Sequence, residues 1–216
     1  MMKLLGMTIN MRIAVIAANG RLGKAFVEAA LKAGHSVRGG VRGVNTLAAH
    51  PHLEVVTCDA TNADELRVLL SGQEVVVSAI GHVKGSAPDV QTVATKVIVD
   101  VMSELGIKRY VDVTGTGVRF TGDKITLIDR FLNMGVGIAD PSRVKDGIDH
   151  QEVLKASSLD WTTIRVLKLQ NVAARPFVLR LHGPTKAFVG REEVAEGMLE
   201  VIEMGTFFKQ APIVGR

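Results

Sequence analysis

The segment Met11–Leu31, MRIAVIAANGRLGKAFVEAAL, constrains the fold of this chain more than any other stretch. Arg12–Ala17 is a short apolar run rich in Val and Ile, the composition of a strand covered on both faces. A turn holding two glycines follows, Ala17-Ala18-Asn19-Gly20-Arg21-Leu22-Gly23. Leu22, Ala25, Phe26, Ala29, Ala30 and Ala33 then share one face of a helix, and Gly34 stops it. The first turn of a helix carries amide N–H groups without internal partners and the positive end of the helix dipole. A pyrophosphate reaches those groups only where the backbone is bare. Gly20 permits that approach, and Gly23 permits close packing of helix on strand. The unit therefore reads as a dinucleotide-binding turn, with an ordinary strand-to-helix connection as the alternative.

The same alternation continues along the chain. His35–Arg42, Leu53–Cys58, Glu74–Gly81, Arg109–Val113 and Leu159–Val166 read as strands, with a small strand at Phe177–Leu181 and a closing one at Ala211–Val214. Between them lie helical patterns: one with Leu66, Leu69 and Leu70, one over Val90–Leu105, one from Pro141 to about Ser157, and one marked by Val194, Ala195, Met198, Val201 and Ile202. Strands alternating with helices predict an α/β fold, a Rossmann-like doubly wound, mainly parallel sheet with helices on both faces. Residues 11–216 are read as a single NAD(P)-binding domain and residues 1–10 as a loose N-terminal extension. Gly117–Asp140 breaks the alternation; Ile125, Ile128, Phe131 and Leu132 suggest a short amphipathic helix in a lid that covers the substrate or meets another subunit.

Composition narrows the function. Apolar residues make up 47% of the chain, and no run of about 18 of them could span a bilayer, so no membrane partner is expected. The net charge is +4, with 4% aromatics and no Lys/Arg run, which argues against nucleic acid and for a phosphorylated small molecule. A lone cysteine, Cys58, fits a reducing cytoplasm and a packed thiol. His50 and His52 lack a carboxylate or Cys partner, so no metal site is read.

Ligands on such sheets bind beyond the carboxyl ends of the strands. Arg42 stands where NAD-preferring sites place an acidic residue, and its planar fork can pair with a 2′-phosphate; this predicts NADP(H) over NAD(H). Arg21 is a second candidate for the same phosphate. Asp59 and Ala60 fall where adenine should rest, although Asp59 equally suits the turn before the next helix. Ser78, Ala79 and Gly81 are small where the backbone passes the cofactor, and His82 follows as a substrate- or ribose-facing candidate.

Residues 11–216 resemble the atypical short-chain dehydrogenase/reductase group that binds NAD(P)H, in particular the biliverdin reductase B/flavin reductase type and bacterial proteins classed as NADH-flavin reductases. The resemblance rests on AANGRLG at 17–23, VRG at 41–43, CDATNADEL at 58–66, SAIG at 78–81, TGTGV at 114–118, SSLDWTTIR at 157–165 and VGREEVAEG at 189–197. It implies that Ala17, Asn19, Gly20, Arg21, Leu22 and Gly23 surround the pyrophosphate, that Ala79, Ile80 and Gly81 line the ribose, and that Thr114, Gly115 and Thr116 lie near the nicotinamide. Three positions depart from the group: Ala17 replaces its first glycine, Gly115 a serine, and Val166 a proline. If position 17 needs positive φ, Ala costs about 1 kcal/mol there.

The standard members of this superfamily use a Tyr-x-x-x-Lys acid pair. Here the lone tyrosine, Tyr110, lies in the fifth strand, with Thr114 four residues on. Alcohol–ketone and epimerase chemistry lack their acid. Hydride transfer to a flavin, quinone or similar planar acceptor needs no such group, and a flavin is then a substrate rather than a prosthetic group. Thr114 and Thr116 are the candidates to orient the rings, and His150, with Asp146 one turn earlier, is the candidate proton donor. Lys168 could meet a phosphate on the acceptor. The rival readings are an NADP(H)-sensing regulator acting through a protein partner and an epimerase-like protein; a monomer or homodimer is expected.

Overall fold

The computed structural model describes residues 10–215 other than Lys84 and Ile125, and of Val136 and Ala139 the backbone alone. In chain order the elements are β1 (Arg12–Ile16), α1 (Arg21–Lys32), β2 (Ser36–Val41), β3 (Leu53–Thr57), α2 (Ala63–Leu70), β4 (Val75–Ser78), α3 (Val90–Glu104) and β5 (Arg109–Gly115). There follow α4 (Leu127–Ala139), α5 (Pro141–Ala156), β6 (Asp160–Val166), β7 (Lys168–Gln170), β8 (Val178–Arg180), β9 (Phe188–Gly190), α6 (Arg191–Glu203) and β10 (Ile213–Gly215). The main sheet runs β3-β2-β1-β4-β5-β6-β10-β8, parallel except for the final antiparallel β10–β8 pair. Strand order reverses between β1 and β4, the place where such sheets open a crevice for a ligand.

Alternate residues of the central strands feed two cores. Ile13, Val15, Val75, Val77 and Val111 meet Phe26 and Ala30 of α1 and Met198 and Val201 of α6. Ala14, Ile16, Val76 and Tyr110 meet Leu66 and Leu69 of α2, Ile98 and Met102 of α3, and Leu154 of α5. Period-2 alternation thus serves a sheet buried on both faces.

Several expected boundaries change. β5 runs through Thr114 and Gly115, since both pair with β6, at Arg165 and Val166; they belong to the strand end rather than to the turn beyond it. β3 is the edge strand and only half-buried, although Cys58 just after it is buried. The pair β7–β9 forms a separate two-stranded parallel sheet that the sequence reading missed. α4 spans thirteen residues, and Ile128 and Phe131 face outward instead of toward a core. Ile125 and residues 1–9 of the expected extension lie outside the described residues.

At the end of β6 the fully buried Arg165 organises the connections over this edge of the sheet. Its guanidinium donates to both Asp123 carboxylate oxygens at 2.5 and 2.8 Å and to the carbonyls of Val118, Leu181 and Ala211. A buried cation is tolerable only when paired and hydrogen-bonded in this way. The Asp123 carboxyl is held below its usual range; burial opposes this, but the bonds from Arg165 and the Phe120 amide outweigh it.

Candidate functional site

The site is built at the carboxyl edge, from the β1–α1 turn outward. Gly20 precedes α1 in an extended conformation, makes no side-chain cap, and no acidic residue occupies the first turn of α1. The amides and dipole at this helix start are therefore free for an anion. A Cβ on Gly23 would lie 2.3 Å from the Ala17 carbonyl oxygen and 2.9 Å from Ala18 Cα, so only glycine lets α1 pack against the turn. Ala17 has φ of 59°, the left-handed conformation that the missing glycine would adopt without strain. Leu22 is buried, so its side chain serves the core and only its backbone faces a ligand. The Asn19 amide donates to the Val44 carbonyl at 2.6 Å, and its oxygen accepts from the Thr46 N–H at 3.0 Å. It ties the turn to the loop after β2.

That loop carries Arg42, whose side chain is 69% exposed and lies 3.9 Å from Asp59. An exposed guanidinium beside one loosely placed carboxylate remains available for a phosphate. Asp59 accepts from both the amide and the hydroxyl of Thr61, which, more than Arg42, hold its carboxyl below the usual range. Its turn role is thus realised, with Ala60 half-buried beside it. Between the first turns of α1 and the start of α6 a groove of about 370 Å³ is lined by Arg21, Lys24, Asn171 and Arg191. Burial first, then the nearby Arg21 charge, lowers the pKa of Arg191, a cation that sequence reasoning did not single out.

β4 ends at Ser78, and the chain passes through Ala79, Ile80 and Gly81. A Cβ at Gly81 would meet nothing within 4 Å, so this backbone borders open space. The Ile80 carbonyl accepts from the Gln91 side chain at 3.0 Å. Across the edge, Thr114 is buried with its hydroxyl beside Gly147, while Gly115 is exposed. Thr116 is fully buried, and its hydroxyl donates to Asp129 at 2.8 Å and accepts from Asn133 at 3.0 Å. Arg119 adds a contact to Asp129 at 2.5 Å. These bonds fasten α4 to β5, and they correct the expectation that the Thr116 hydroxyl faces an acceptor.

The His150–Asp146 pairing expected from helical spacing does not form as a side-chain contact; each residue turns to another partner. His150 is 1% exposed, and its Nε2 lies 3.1 Å from Asp112 on β5. Burial depresses its pKa, but the bond and charge of Asp112, with Asp146, more than compensate and leave it raised. A sealed imidazole cannot protonate a ligand in the cleft, so His150 is a structural residue here, not the proton donor expected. Asp146 instead accepts from His82 Nε2 at 2.8 Å, from the amides of Gln91 and Thr92 at 2.9 and 2.8 Å, and from the Thr92 hydroxyl at 2.5 Å. It caps α3 from another helix, whereas Asp89 at the N-cap position makes no side-chain bond. Burial opposes ionisation of Asp146, yet these donors hold its pKa below the usual range. An ionised carboxylate only accepts, so His82 Nε2 carries the proton of that bond. The His82–Asp146 pair, 64 residues apart, was invisible to local spacing.

Lys168 is exposed on β7, with its ammonium 5.7 Å from the Phe188 ring. The structure brings it toward neither Thr114 nor His82 by any hydrogen bond or ion pair among the described residues. Nor do these residues hold a cluster of three or more His, Cys, Asp or Glu suited to a metal ion. No described helix is long and apolar enough to cross a membrane.

The family model described as NAD(P)H-binding matches residues 17–204. Among curated proteins, none matches. Among solved structures, a short-chain dehydrogenase/reductase from Veillonella parvula in complex with NADP aligns with a TM-score of 0.80 at 20% identity, covering 96% of this chain and 95% of that one. A presumed epimerase from Bacteroides thetaiotaomicron aligns with a TM-score of 0.80 at 21% identity, covering 95% and 97%. A presumed NADH-flavin reductase from Streptococcus pneumoniae gives 0.73 at 23%, covering 95% and 99%. At these identities the likeness shows the Rossmann-like fold.

Proposed function

The chain belongs to the NAD(P)H-binding family, and from that premise we propose that it is an NADPH-preferring reductase that passes hydride to a flavin, quinone or similar planar acceptor. The observation that carries this reading is the placement of Tyr110. It is 1% exposed, inside β5, and its phenol faces Ser78, Thr95 and Asp112. Burial, then the Asp112 charge, pushes its pKa well above the ordinary phenol value. The only tyrosine of the chain is thus sealed inside the sheet and is not placed to act as the Tyr acid of the standard superfamily mechanism. Planar acceptors ask less of the protein: two rings held in contact and water kept out.

The residues present fit a dinucleotide. The uncapped start of α1 suits a pyrophosphate, Gly23 lets that helix start close against the turn, and exposed Arg42 suits the 2′-phosphate. Bound NADPH would supply the hydride. Gly81 and Gly115 offer bare backbone for close ring approach. We assign delivery of the accompanying proton to His82, which directly follows Gly81 at the strand edge and whose side chain keeps 7% exposure against 1% for His150. Asp146 fixes its orientation, in the manner of a carboxylate behind a catalytic imidazole.

The test is steady-state NADPH oxidation with a panel of flavins and quinones, with NADPH and NADH binding measured on the same sample. Saturable turnover with NADPH favoured supports the proposal. Tight binding without turnover on any acceptor would refute it and favour a cofactor-sensing regulator.

A further inference from the structure

The outer face of α4 carries Leu127, Phe131, Met134 and Ile138, which are 84%, 69%, 54% and 77% exposed. Their 4-3-4 spacing is that of a helix–helix seam rather than of the broader stripe that settles on a core. Ile128, 60% exposed, flanks it. The opposite face of the same helix is already satisfied: Asp129 and Asn133, four residues apart, hold it to Thr116. α4 is therefore fixed in place with its apolar seam turned to solvent, so the exposure is not that of a helix with nothing to hold it.

From this we propose that α4 pairs with α4 of a second copy in an antiparallel two-fold dimer. Three observations favour a second copy over other occupants. First, the seam is symmetric about its midpoint. A two-fold axis there sets Leu127 opposite Ile138 and Phe131 opposite Met134 of the second copy, a large–large and an aromatic–thioether match. Second, the seam itself holds no charge. Asp129, the acidic residue of α4, is buried on the far side, so self-association brings no like carboxylates together. Third, the area suffices. With roughly 150–200 Å² for a fully exposed large apolar side chain, these four residues together with Ile128 present about 600 Å², the top of the range for patches left open on a monomer. Two copies would cover about 1,200 Å², where specific stable interfaces begin. Because α4 is bonded to Thr116 directly after β5, the dimer would also steady the connection beside the ligand edge. None of this rests on the reductase proposal.

Light scattering on the purified full chain across micromolar concentrations tests it. The expected result is twice the chain mass, falling to the single mass in Phe131→Glu and in Leu127→Glu, with NADP⁺ binding retained. The substitution Ile148→Glu, at an exposed position on α5, should leave the dimer intact. As a second measurement, an equimolar mixture of Leu127→Cys and Ile138→Cys proteins should cross-link under mild oxidation far more than either protein alone. A native chain that stays monomeric at tens of micromolar would overturn the proposal. So would a dimer that survives Phe131→Glu, cross-links confined to like positions, or a monomer whose seam is shielded only when cofactor and acceptor are both present, which would make α4 a lid.

Discussion

Ala17→Gly should make this protein more stable, the opposite of the usual effect of introducing glycine. Ala17 has φ of 59°, where the Cβ approaches the following carbonyl at a cost of roughly 1–2 kcal/mol. Glycine removes that cost but adds about 0.5–1 kcal/mol of chain entropy to the unfolded state. Taken at the midpoints of these ranges, the difference is a net gain of about 0.75 kcal/mol. For a chain of this length that is a rise in Tm of roughly 1–4 °C. The turn itself should survive, because its bonds are backbone bonds: the Gly20 amide donates to the Ala17 carbonyl at 2.9 Å and the Ala18 amide to the Gly40 carbonyl at 3.0 Å. Removing the methyl also clears the approach to the cofactor, so NADP⁺ affinity should rise or stay level. Thermal melts with and without NADP⁺, with Ala17→Val as the opposite control, read both effects. The valine variant should lose more than the glycine variant gains, since a β-branched residue is worse at positive φ. A lower Tm for Ala17→Gly, or equal Tm values for all three proteins, would refute the argument that the backbone is strained here.

Gly23→Ala should cost several degrees of Tm and most cofactor affinity, because its Cβ would sit 2.3 Å from a carbonyl oxygen that cannot move without opening the turn; calorimetric titration with NADP⁺ checks this. Arg42→Ala should weaken NADPH binding about tenfold and leave NADH within about twofold, by competition titration; equal losses would remove Arg42 from the phosphate. His82→Gln should lower kcat by roughly 10²-fold, with KM for NADPH little changed. The folded-state pKa of His150 is raised, so its contribution to stability is complete below the ordinary imidazole value and is lost as pH rises through the raised one. The Tm of the native chain should therefore decline over that window more steeply than that of His150→Gln.

The sequence made the sheet legible because strands buried on both faces leave unbroken β-branched runs, as at Arg12–Ile16 and Val75–Ser78, and because Gly20 and Gly23 mark a turn whose demands are local. The candidate ligand edge was read from the strand ends, where Gly20, Arg42, Gly81 and Thr114 all fall. What stayed hidden was long-range. Helical spacing correctly put Asp146 and His150 on one face of α5, but that face spans two neighbours, so one side chain turns to the start of α3 and the other to β5. Nothing local to Thr116 shows that Asp129 and Asn133 occupy its hydroxyl. β7 and β9 have three residues each, too few for any period to register.

The carboxylate of Asp146 serves two masters: it closes the start of a structural helix and it holds the imidazole at the ligand edge. Its folded-state pKa is depressed, so this support is intact above the ordinary carboxylate range and fails only as pH falls through the lowered value. One proton would then unfasten both at once. The start of α3 and the orientation of His82 share a single point of acid failure.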